Sequence, residues 1–148
     1  MSLQTWLANG WLQRHQTGAG EIQNLWLLVE RDLKDAASGG MSHDWQYNIA
    51  YNAALQLCTI LLSAEGYKPG KGQLAHYRTL AALPLILGAQ RQDDGDYLDA
   101  CRQKRNKVEY DRAGTTSKAE ELIHFSNELR DQVLAWLKKK HPGLAPPA

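Results

Sequence analysis

The sequence predicts an all-α protein, an up-and-down antiparallel bundle of about five helices. Three observations predict it. Leucine, isoleucine and tryptophan recur at helical spacing almost throughout, no run of clean period-two alternation appears, and capping residues, glycines and prolines divide the pattern at short intervals. The chain's 148 residues, 43% hydrophobic and 22% charged, suffice for one domain with a real core. The expected organisation is a helical segment over 1–16, a bundle over 17–140 and a flexible tail over 141–148.

The first segment, "MSLQTWLANG", reads as helix with a break at Asn9-Gly10. Ile22, Leu25, Trp26, Val29, Leu33 and Ala36 then mark a helix over about 20–37, stopped by "SGG". The next begins near Ser42 and ends at Gly66. It carries two stripes, Ala50, Ala53, Ala54, Leu57, Leu61 and Tyr47, Tyr51, Leu55, Cys58, Leu62, as a central helix with neighbours on both flanks requires. "GYKPGKG" is a turn-rich connection. "QLAHYRTLAAL" resumes the helix until Pro84, where the missing amide predicts a break or kink. "QRQDDGD" reads as a loop, followed by a helix over about 95–110 that "RAGTTS" closes. The last helix is expected to start at Ser117, where Glu120 completes a capping-box spacing, and to end at "KKK" before Pro142.

Cys58 and Cys101 fall on apolar stripes and read as buried, reduced thiols. The start shows no basic region followed by a long apolar run, and no apolar run reaches bilayer length, so the reading is cytoplasmic with no membrane partner. The five histidines show no metal-ligand spacing, and no Gly-rich phosphate loop, nucleophile elbow or paired-carboxylate motif is visible; no metal and no cofactor are expected. Trp26 and Trp136 fit core stripes, Trp6 and Trp11 are candidates to cap the bundle or a dimer, and His124 projects away from its helix's apolar stripe.

One stretch departs from core logic. "CRQKRNKVEYDR" holds Arg102, Lys104, Arg105, Lys107 and Arg112 against Glu109 and Asp111, a net +3 in a chain of net +1, so the remainder carries −2. At about 100° per residue, Leu98, Cys101 and Val108 share an apolar stripe whose remaining position is Arg105. A guanidinium there needs a carboxylate partner, a boundary its head can escape, or an interface. Arg102, Asn106 and Tyr110 follow at i, i+4, i+8, so with Arg105 they span an arc of about 140°. Two guanidiniums, an amide and a phenol can hold a phosphate and engage a base or sugar.

"RNKVEY" resembles the Arg-Asn-x-x-x-His signature of the HEPN domain family, with Tyr110 where histidine is expected. "DWQYNIAYNAALQLCTILLSAEGY" looks like that family's long second helix, His76 follows after a loop as in many members, and the capped helix from 117 closes the bundle; the resemblance covers about residues 20–138. It implies a metal-independent ribonuclease or toxin-antitoxin protein working as a dimer, or a relative that binds RNA or nucleotide without cutting. On that resemblance Arg105 and Tyr110 are the catalytic pair, and Arg102, Asn106, Lys107, Arg112 and His76 the substrate-binding set. Tyrosine, with an ordinary pKa of about 10, is a poor base at neutral pH, so the expectation is RNA or nucleotide binding with cleavage weak or lost. The alternatives are an active endoribonuclease toxin, in which a perturbed Tyr110 or His76 performs proton transfer, and an interaction module partnering a nucleotidyltransferase or antitoxin.

Overall fold

The hydrophobic pattern becomes six α-helices and one short strand pair in a computed structural model, which describes residues 2–105 and 112–147, with backbone alone for 112–116. In chain order they are α1 (Leu3–Ala8), β1 (Leu12–Arg14), α2 (Ala19–Ala37), α3 (His43–Ala64), β2 (Tyr67–Pro69), α4 (Ala75–Leu87), a 3-10 turn at Ala89–Arg91, α5 (Gln92–Arg105) and α6 (Arg112–Lys140). The protein is a mostly helical bundle, as the periodicity predicts.

Its centre is α3. Ser42 starts it by accepting the Trp45 amide on its hydroxyl, and the helix then packs against α2, α4, α5 and α6. Both of its stripes are used: Ala50, Ala53, Ala54, Leu57 and Leu61 are fully buried, and so are Tyr51, Cys58 and Leu62 apart from a trace. Small side chains on one stripe let α6 approach closely enough for the Ser126 hydroxyl to donate to the Ala50 carbonyl at 3.1 Å. From α2 come Ile22, Trp26, Val29, Leu33 and Ala36, and from α6 Ala119, Leu122, Leu129, Val133 and Leu137. The spacing marked the same faces, save that on α6 it pointed to Ser126 and Trp136, of which Trp136 is only partly buried while Leu137 is fully buried.

Five local expectations change. Helix α1 ends at Ala8, and after Gly10 at φ 78° the chain turns into β1, which pairs antiparallel with β2 (Leu12 opposite Pro69, Arg14 opposite Tyr67). Three-residue strands are too short to show alternation, and Pro69 fits because a two-stranded ribbon leaves its nitrogen at an edge. Helix α4 runs through Pro84 to Leu87. Burial of Leu80, Leu83 and Pro84 outweighs a helix-proline penalty of about 3 kcal/mol, and Gly95 of α5 makes room for the ring: a Cβ there would lie 3.1 Å from Pro84 Cδ. Residues read as the loop before α5 form the 3-10 turn and its first helical turn. Helix α6 begins at Arg112, so Ser117 lies inside it and caps nothing. Finally, residues 141–147, expected as a flexible tail, form turns that return Leu144 and Ala145 to the core.

Trp6, Leu12, Leu62 and Ala82 make a second small cluster in which Trp6 and Trp11 meet edge-on, 6.1 Å between centroids, capping one end of the bundle. The ribbon closes on the cluster through the Gly70 amide, which donates to the Trp11 carbonyl at 2.9 Å. A Cβ on Gly70 would stand 2.5 Å from the Gly10 carbonyl oxygen, a contact between backbones with nothing flexible to yield. Gly70→Ala is expected to cost about 1–3 kcal/mol, read as a lower thermal midpoint; an unchanged midpoint would contradict this packing.

Cys58 and Cys101 are free and buried. Burial pushes the Cys58 thiol from 9.0 up to about 12, and raises Cys101, Tyr47 and Tyr51 as well. Above pH 9 the unfolded chain loses the Cys58 proton while the folded chain keeps it. This contribution to stability is therefore whole below pH 9 and declines as pH rises toward 12. The urea midpoint should fall across that window, and a midpoint that held constant through it would refute the protected thiol.

Candidate nucleic-acid interface

Helices α4 and α5 form an antiparallel hairpin, which sets the beginning of α4 beside the end of α5. The basic residues gather there. Leu98 and Cys101 bury the α5 stripe against the core, and Arg105, the next position on it, emerges at the boundary and is exposed. Its guanidinium carbon lies 5.0 Å from the centroid of the Tyr51 ring on α3. The charge placed on an apolar stripe is thus resolved by escape: the residue is exposed, with its head near the Tyr51 ring. No carboxylate pairs with Arg105 among the described residues.

Tyr51 is wholly buried, and its hydroxyl has no hydrogen-bond partner among the described residues. Burial holds that hydroxyl above its ordinary range, opposed by the positive charge of Arg105 and Arg102. At neutral pH it keeps its proton.

One turn earlier, Arg102 is held by Asp99, its Nε donating to Oδ1 at 2.9 Å, and its guanidinium carbon is 5.7 Å from the Tyr77 ring of α4. Lys104 places Nζ 5.6 Å from the Tyr47 ring. Across the hairpin, Arg78 sits 5.5 Å from the same Tyr77 ring, 3.8 Å from Trp11 and 5.5 Å from Trp6. Cation and ring alternate along this end of the molecule. A guanidinium beside a ring can still donate from its N–H edge, which matches phosphate oxygens; part of the Arg102 edge is taken by Asp99. The arrangement can bind anions.

Of the residues marked in the sequence, Arg102 and Arg105 are brought to one surface. His76 is exposed on the first turn of α4, beside Tyr77, with no hydrogen bond or ion pair to either arginine among the described residues. Asn106, Lys107 and Tyr110 lie outside the described residues, as does the side chain of Arg112. Sequence reasoning missed Tyr77 and Arg78, and it placed Tyr51 only in the core. Their roles depend on register between helices, which periodicity within one helix does not carry.

Among the described residues no three His, Cys, Asp or Glu side chains gather where they could hold a metal ion. No described helix is long and apolar enough to cross a membrane. No family model, curated protein or solved structure matches the chain.

Proposed function

We propose that this chain is a HEPN-like domain that binds RNA or nucleotide phosphates through Arg105 and Arg102, with cleavage weak or absent. Asn106, Lys107, Tyr110 and Arg112 complete the contact in this reading, and the domain works as a homodimer, alone or with an antitoxin or nucleotidyltransferase. The observation that carries it is Arg105: an exposed residue whose guanidinium carbon lies 5.0 Å from the centroid of the Tyr51 ring, with no carboxylate partner among the described residues. An arginine serving stability alone would be expected to meet a carboxylate, as Arg130 meets Glu30. Arg105 instead meets no carboxylate among the described residues, which suits a ligand that brings its own negative charge.

The test is a titration of labelled, mixed-sequence single-stranded RNA at increasing salt in excess chelator. Affinity should fall linearly on log–log axes, with a slope of roughly −0.7 for each phosphate engaged, while the RNA stays intact. Absent or salt-independent binding would overturn the reading. Cleavage lost in Arg105→Ala would replace it with an active ribonuclease.

A further inference from the structure

Arg78, which shares the Tyr77 ring with Arg102, lines a pocket of about 210 Å³ together with Trp11, Gly70, Lys71, Gly72 and Leu74, among others. No acidic residue lines it, so Lys71 and Arg78 give it an uncompensated positive charge. Both sides of the pocket are built. The β1–β2 ribbon and the Gly70 amide fix the loop, and Gly72, at φ 139°, carries it around Lys71. Opposite, the three rings of Trp6, Trp11 and Tyr77 hold the Arg78 guanidinium, which has no carboxylate partner among the described residues. A cation restrained by aromatic faces is positioned in advance for an anion, with little side-chain freedom left to lose on binding.

The geometry points to this pocket as a site for a terminal phosphate monoester, the 5′-phosphate end of the RNA. The choice of RNA as the carrier rests on the proposed function above. The volume is below that of common drug-sized ligand sites, which start at about 300 Å³, so it suits a phosphate with part of its sugar and not a whole nucleotide. A monoester carries about −1.5 to −2 charge, nearly twice that of an internal diester, and so answers two cations. Tyr77 joins this pocket to the first site: Arg78 lies 5.5 Å from its ring and Arg102 5.7 Å. A strand whose end is seated between Lys71 and Arg78 is then led toward Arg102 and Arg105.

Two RNAs of one sequence, ending in 5′-phosphate or 5′-hydroxyl, distinguish the sites when titrated against the full chain and three variants. The phosphorylated RNA should bind the unaltered protein about tenfold more tightly, consistent with one additional charge-assisted contact set. Lys71→Gln, on an exposed loop, and Arg78→Gln should bring that ratio close to one, whereas Arg105→Ala should weaken both RNAs and preserve it. Equal affinity for the two RNAs in the unaltered protein, or a ratio that survives Lys71→Gln, would overturn the pocket while leaving RNA binding in place. Failure of both RNAs to bind would overturn the proposed function together with it.

Discussion

Arg105→Ala is expected to lower RNA affinity about ten- to a hundredfold at low salt while leaving the fold intact. Hydrogen bonds to a charged group contribute about 1.5–3 kcal/mol, and a forked guanidinium on a phosphate belongs to that class. The structural cost is smaller. An exposed cation–π contact is worth about 0.5–1 kcal/mol, and Arg105 has no other described partner than the Tyr51 ring. Binding and stability should therefore separate, seen as a large loss in titration with a helical circular-dichroism spectrum unchanged and a small shift in melting temperature. Arg105→Lys should fall between, because lysine restores the charge without the fork. Lys138→Ala, near the opposite end of α6, should change affinity much less. An Arg105→Ala protein that binds normally but melts early would mean the residue serves stability.

Leu57→Ala should do the reverse. Leu57 is fully buried on the central helix, within the cluster that joins α2, α3, α4, α5 and α6. Truncation removes apolar contacts and leaves a cavity that neighbouring helices cannot close without moving. The expected cost is about 3–4 kcal/mol, and for a chain of this length that is roughly 6–16 °C in melting temperature. Leu27, 58% exposed on α2, provides the control: Leu27→Ala should stay within about 0.5 kcal/mol. Near-equal melting temperatures for the two variants would contradict a core centred on α3. Below its transition the Leu57→Ala protein should still bind RNA, since the arginine surface depends on helix register and not on that methyl packing.

The two results divide the molecule along the line that sequence reading could and could not follow. Helices α2, α3 and α6 were legible because each buries a stripe with a helical period, and a period is a property of one segment. The wide apolar surface of α3 even announced its central place. What failed was set by contacts between segments. Pro84 should interrupt a helix, yet Gly95 leaves space for its ring from the next helix along. The Ser117–Glu120 spacing imitates a cap but lies within α6, which starts at Arg112. The β1–β2 ribbon is held by three residues a side and by backbone bonds that leave no alternating signature.

The candidate site shows the same division. Arg105 was conspicuous because it broke the stripe of its own helix. The ring beside it reads as ordinary core, since nothing in the α3 pattern says which neighbour Tyr51 faces. Arg78 gave no such signal: it occupies an unremarked position in a helical segment and is given a role by Trp6 and Trp11, from the far end of the chain.

Crosslink mapping tests the proposed RNA contact most directly. RNA containing 4-thiouridine, crosslinked by ultraviolet light and digested for peptide mapping, should mark Tyr77 and the peptide spanning 102–112, with the yield falling as salt rises. Crosslinks confined to the exposed face of α2, or to Lys138–Lys140 at the end of α6, would place binding elsewhere and contradict the arginine–tyrosine surface as the site.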